Sequence, residues 1–192
     1  LYLYGDNMVD EEKLILFIDD KNCYNGARRA FFTDADAHYY GQIKPIELGQ
    51  LICERCLPTH KRNLYQVRVY TGAPEATREP KTHSAHIKQR TTWEQAGVQV
   101  ITRTLRYPYD WPATKAEQKG VDVALAIDFV ALAIDGEYDV GVIVSTDSDL
   151  KPALEYVRRK CNDRCHIEVV AWNNPFKRSR LVFQRIIFGV IG

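Results

Sequence analysis

Four aspartates hold most of the chemistry available to this sequence: Asp19, Asp122, Asp147 and Asp149. Asp19 closes the apolar run LILFID (14–19), and Asp20 follows it directly. Asp147 and Asp149 flank Ser148 just beyond the apolar run VGVIV (140–144), and Asp122 opens an Ala/Leu/Ile-rich stretch (121–134). Carboxylates drawn together repel one another unless they are protonated or share a cation. Oxygen ligands with no His or Cys among them suit Mg²⁺ or Mn²⁺ better than zinc. Each acid also has an ordinary use. Asp147 or Ser148 fits a helix N-cap with Asp149 in the first turn, Asp122 fits a helix-dipole partner, and Asp19 to Asn22 fits an Asx turn.

The elements that must position these acids are strands alternating with helices. LILFID (14–19), NLYQVRVY (63–70), VQVITRTL (98–105), VGVIVST (140–146) and HIEVVAW (166–172) have strand length and β-branched or aromatic content. Helical spacing fills 23–32, 45–57, 83–96, 121–134 and 149–160, while the stretch around 178–188 fits helix or strand equally. This alternation predicts parallel β-α-β units in an α/β sheet of about five strands flanked by helices. LILFI and VGVIV are apolar on both faces, as central parallel strands must be. Ligands in such sheets bind beyond the carboxyl ends of the strands, where strand order reverses. Asp19, Asp122, Asp147 and Asp149 all fall at that edge. If the first and fourth strands are neighbours, Asp19 and Asp147 face each other across about 5 Å. Asp128 sits about 240° around a helix from Asp122 and is expected to act behind the ligands, as is Asp20.

The net charge of +1 hides strong segregation. Residues 1–54 carry 5 basic and 10 acidic side chains, 55–106 carry 10 and 3, 107–150 carry 2 and 9, and 151–192 carry 9 and 3. Acidic strand ends beside basic segments suit a cation site flanked by phosphate-attracting surface, although clustered solvated faces give the same pattern. At 192 residues the chain reads as one domain over 13–192, with a C-terminal extension from about 173. Residues 1–12 read as an N-terminal extension, and residues 1–7, ahead of the only methionine, Met8, fit an expression remnant. No apolar run approaches a membrane span and no signal-peptide pattern is present, so the cytoplasm is the expected compartment. No phosphate-binding glycine loop or dinucleotide fingerprint appears, so no nucleotide cofactor is expected. The Cys53/Cys56 and Cys161/Cys165 pairs have zinc-like spacing, but the first pair fits a core-facing helix stripe better. Oligomeric state is not legible, and a homo-oligomer remains open.

In order, FIDDKNCYN (17–25), KGVDVALAIDFVALA (119–133) and VSTDSDLKPAL (144–154) resemble the NYN domain of the PIN-like nuclease superfamily. The resemblance spans roughly residues 13 to 172. It implies a Rossmann-like three-layer fold and a metal-dependent nuclease activity, commonly on RNA. It also implies that Asp19, Asp122, Asp147 and Asp149 are the catalytic, metal-binding acids. Asn22 matches the Asn near the first acid, and Lys119 and Gly120 match the K-G before the helix acid. Two residues depart from the pattern: Asp20 and Thr146 stand where the family usually has Gly.

In this reading Mg²⁺ or Mn²⁺ held by the acids supports water attack on an RNA phosphodiester. Asn22, Lys119 and Ser148 are expected to contact substrate beside the acids. Arg78, Lys81, Lys88 and Arg90, which follow the second strand, are candidate phosphate contacts. Tyr107, with Tyr109 and Trp111, lies in the long loop before Lys119 and is a candidate for stacking on unpaired bases, or else for packing the loop. The clusters Arg158/Arg159/Lys160 and Lys177/Arg178/Arg180 suit phosphate or solvent equally. The alternatives are a non-catalytic RNA-binding or regulatory module, and a metal-dependent DNA nuclease or phosphatase on the same scaffold.

Overall fold

Along β1 (Glu12–Asp19), Leu14, Leu16 and Ile18 point to one side and Ile15 and Phe17 to the other, and all five are at most 1% exposed. Alternation with no polar face is what a strand covered on both sides requires. Each such side chain contributes about 1.5–3 kcal/mol on burial. The chain is seen here as a computed structural model that describes residues 11–55, 61–172 and 185–188. After β1 come α1 (Asp20–Phe31), α2 (Pro45–Glu54), β2 (Arg62–Ala73), α3 (Pro80–Gln95), β3 (Gln99–Thr104), α4 (Val121–Ile134) and β4 (Val140–Val144). A short 3₁₀ turn (Ser148–Leu150), α5 (Lys151–Cys161), β5 (His166–Trp172) and β6 (Arg185–Phe188) complete it.

The strands pair in parallel in the order β3-β2-β1-β4-β5-β6. This is the expected Rossmann-like, three-layer α/β fold, with β1 and β4 adjacent at its centre. Five strands match the apolar runs of the sequence. The sixth resolves part of the ambiguous 178–188 stretch as strand, and 178–184 lie outside the described residues. Helices α4 and α5 cover one face around Phe17, Leu125, Phe129, Ile143 and Leu154. The other face is covered by α1, α2 and Trp93 of α3, around Leu16, Ile18, Ile52, Val69 and Val142. Trp93 is the one buried residue of the 16 in α3, so this helix is largely solvated.

Gly141 sits inside the buried strand β4 because a β-carbon there would come within 2.6 Å of Tyr138 and 2.8 Å of Phe129. Those rings pack edge-on to Phe17 at 5.8 and 5.2 Å, which ties α4 to the centre of the sheet. Cys161 and Cys165 are free thiols buried in the same core, so packing accounts for their spacing. The other zinc-like pair involves Cys56, which lies outside the described residues, as do residues 1–10, Lys177, Arg178 and Arg180. Arg158, Arg159 and Lys160 occupy the last turn of α5, where positive charge suits the helix dipole. Among the described residues no helix is long and apolar enough to cross a membrane.

Candidate active site

Strand order reverses between β1 and β4, and a crevice opens beyond the carboxyl ends of strands at such a point. Ile18 pairs with Val144, which makes Asp19 and Ser145 the next residues outward on adjacent strands. Asp19, Asp122 and Asp147 line a single cleft of about 260 Å³ there, together with Lys21, Asn22, Asn25, Gln118 and Val121. Asp122 reaches it from the first turn of α4, which begins at Gly120 with φ 73°. That left-handed backbone is readily reached by glycine, which accounts physically for the Gly before the helix.

Asp19 is 8% exposed. Its Oδ1 accepts the Asn22 N–H at 3.1 Å, capping α1, and its Oδ2 accepts the Ser145 hydroxyl at 3.4 Å. Burial raises its carboxyl from 3.8 to about 6; the charges of Asp147 and Asp20 add to this, while the Asn22 N–H and the Ser145 hydroxyl oppose it. The Asn22 side chain in turn accepts from Thr146, at 2.9 Å from the backbone N–H and 3.1 Å from the hydroxyl. It therefore ties the first turn of α1 to the loop after β4. The Asp147 N–H donates to Ser145 Oγ at 3.1 Å, and Asp147 Oδ1 accepts the Asp149 N–H at 3.0 Å. Capping is thus a real use of Asp19 and Asp147, and it occupies only one oxygen of each carboxylate in this way.

The remaining candidates are dispersed. Asp149 lines an adjacent apolar groove with Leu150, Ala153, Val123 and Ile127, and Asp122 borders both spaces. Asp20 turns toward β2, where its carboxylate accepts the Thr71 hydroxyl at 2.8 Å, and burial raises its pKa. Asp128 lies further along α4 and accepts from the Arg68 guanidinium and, at 2.8 Å, from the Tyr70 hydroxyl. Ser148 begins the 3₁₀ turn. Lys119 is exposed, with Nζ 3.5 Å from Glu117. Arg78 pairs with Glu75 at 3.0 Å and lies over the Tyr107 ring at 4.8 Å. The Tyr107 hydroxyl donates to Glu79 at 2.8 Å and accepts the Glu75 N–H at 3.0 Å, so this residue packs the loop. Lys81 stands in the first turn of α3, near the carboxyl edge. Lys88 and Arg90 follow about 10–13 Å further along the helix, and Arg90 pairs with Glu94 at 2.8 Å.

Lys21, Asn25 and Gln118 join the cleft without having been singled out in the sequence. Lys21, Asn22 and Asn25 lie at i, i+1 and i+4 on a helix that starts from Asp19, a spacing that puts them on one side of it. Asp20 and Thr146 do not need glycine's freedom, because among the described non-glycine residues Asn162 alone has positive φ.

A family model for the NYN domain matches residues 13–188, nearly the whole chain. The chain belongs to the NYN domain family. This NYN domain is accordingly of the PIN-like nuclease superfamily, whose NYN members are usually nucleases. Its fold is similar to the crystal structure of a protein of unknown function from Vibrio parahaemolyticus RIMD 2210633. The TM-score is 0.52 at 18% identity, covering 83% of this chain and 81% of that one. No curated protein matches the chain.

A divalent cation suits the donor set of the cleft. The donors are carboxylate oxygens, and burial makes Asp19 hold its proton more tightly than an ordinary Asp, with the neighbouring charge of Asp147 adding to it. Among the described residues no three His, Cys, Asp or Glu side chains converge tightly enough to enclose an ion. Mg²⁺ does not need such a cage, since it commonly keeps several waters and binds through one or two carboxylates plus substrate phosphates.

Proposed function

We propose that this NYN domain is a Mg²⁺- or Mn²⁺-dependent endoribonuclease. The observation that carries the reading is the meeting of Asp19, Asp122 and Asp147 in one cleft at the switch point of a nuclease-family fold. Asp19 and Asp147 hold the cation, with Asp122 beside them. A cation bound there would offset the charge that develops on the phosphate and ease ionisation of the attacking water. Asp122, which lines the same cleft, would be placed to orient that water. Lys21, Asn25 and Gln118 contact the phosphate from the cleft walls, and Asn22 holds the two acid-bearing loops in register through Thr146. Arg78 and Lys81 at the carboxyl edge, with Lys88 and Arg90 along α3, attract the flanking phosphates. Hydrolysis leaves a 5′-phosphate and a 3′-hydroxyl.

The test is cleavage of single-stranded and structured RNA by chelator-treated protein after Mg²⁺ or Mn²⁺ is restored. Activity that is lost in Asp19→Asn and Asp147→Asn, with the fold retained, supports the reading; wild-type protein that cuts neither RNA with either metal overturns it. Running DNA and phosphomonoesters alongside separates an RNA nuclease from a DNA nuclease or phosphatase on this scaffold. The placement of Asp149 in the neighbouring groove favours one competing reading, a non-catalytic RNA-binding module. That version predicts salt-sensitive binding that survives both substitutions and yields no product.

A further inference from the structure

The loop between β3 and α4 contains three aromatic residues, and their environments differ sharply. Tyr107 is held through its hydroxyl by Glu79 and the Glu75 N–H, and its ring meets Trp111 edge-on at 5.5 Å. The Arg78 guanidinium lies over both rings, at 4.8 and 6.0 Å. Tyr109 stands between these two residues and is completely exposed, at 103%. An exposed tyrosine on a loose loop would mean little, but this loop is braced. Arg106 and Glu117 form a two-bond antiparallel bridge at its base, at 2.8 and 2.9 Å. The Trp111 N–H bonds to Pro108 O at 3.1 Å, and the Thr114 hydroxyl bonds to Asp110 at 2.6 Å.

The base of the loop adjoins the cleft, because Gln118, next to the bridged Glu117, is one of its lining residues. Tyr109 is three residues beyond Arg106 and so within about 10 Å of the bridge. Arg106 and Lys115 are exposed on the same loop. A free ring on a braced loop that also carries exposed Arg106 and Lys115 is suited to binding unpaired nucleotides, whose bases all offer a face for stacking.

We propose that Tyr109 stacks on an unpaired base beside the phosphate held in the cleft, so that the protein selects single-stranded nucleic acid. The inference rests on the nuclease reading for the position of that phosphate. The experiment uses the full chain with Ca²⁺ in place of Mg²⁺ or Mn²⁺ and single-stranded oligoribonucleotides carrying 2-aminopurine at successive positions, whose fluorescence is quenched on stacking. Wild-type protein should quench at a defined position. Tyr109→Ala should abolish that quenching and weaken binding about 5- to 150-fold, with the melting temperature unchanged. Tyr109→Phe should retain both, since the ring rather than the hydroxyl acts, and binding to a duplex of the same sequence should not respond to either change. Equal binding and quenching by Tyr109→Ala, or equal loss in Tyr109→Phe, overturns the proposal, as does a wild-type protein that quenches at no position. Quenching by a wild-type protein that cuts no RNA with Mg²⁺ or Mn²⁺ restored refutes the nuclease reading and leaves the stacking assignment standing.

Discussion

Replacing Asp19 by Asn should stabilise the metal-free protein at neutral pH. Asp19 is 8% exposed, and its carboxyl is raised from 3.8 to about 6, with burial the largest cause. A carboxyl raised on folding binds its proton more tightly in the native state. Its contribution to stability is complete below pH 3.8 and is lost as pH rises through about 6. At about 1.36 kcal/mol per pH unit, the ionised group costs the fold about 3 kcal/mol by pH 7.5. Asparagine removes that cost, and its Oδ1 can still accept the Asn22 N–H that caps α1. After allowance for relaxation and water at the cleft mouth, a gain of about 2 kcal/mol is expected, or about 4–8 °C in melting temperature for a chain of this length. The assay is thermal and urea unfolding of both proteins in chelator between pH 4.5 and 8. The gap should be small at pH 4.5 and widen through pH 6. Mg²⁺ should raise the melting temperature of the wild type more than that of the variant, because a ligand that binds only the native state stabilises it. An Asn variant no more stable than wild type at pH 7.5, or a gap that does not change with pH, would refute the reasoning.

Three further outcomes are expected. Asp147→Asn should reduce RNA cleavage at least 100-fold, whereas Asp149→Asn, altered in the neighbouring groove, should reduce it less than 10-fold; steady-state rates at saturating Mn²⁺ compare them. Asp128→Ala leaves the buried Arg68 guanidinium and the Tyr70 hydroxyl without their shared acceptor. Since the Asp128 side chain is 32% exposed, the loss should be about 2–3 kcal/mol in urea unfolding rather than the 3–5 of a fully buried pair, and Asp128→Asn should lose less. Gly120→Ala puts a β-carbon into open space at φ 73°, so only the backbone objects, by about 1–2 kcal/mol. Gly120→Asn should cost less than Ala, and a melting curve of each variant checks the order.

The sheet was legible in the sequence because burial on both faces leaves uninterrupted apolar runs. Leu14 to Ile18 and Val140 to Val144 are the plainest cases, and they turn out to be the adjacent central strands. The acids were legible as a group for the same reason, since a polar residue that ends such a run must lie at its edge. Their individual directions were not. Asp147 is the extended cap residue of a 3₁₀ turn and Asp149 lies inside that turn, and the two line different spaces, the cleft and the groove. Asp19 and Asp20 are neighbours at the point where strand becomes helix; one faces the cleft and the other Thr71 of β2. Tyr107 and Tyr109 diverge in the same way, one caged by Arg78 and Glu79 and the other free. All three pairs sit at turns, where no repeating period fixes the direction of a side chain. The direction is set instead by partners distant in sequence: Thr71 is 51 residues from Asp20, and Glu79 is 28 from Tyr107. Thr146 follows the same logic. It stands where the family usually has Gly, and its hydroxyl and N–H both reach Asn22, 124 residues away. A glycine there would keep only the N–H bond, so Thr146 braces the turn that carries Asp147 instead of straining it.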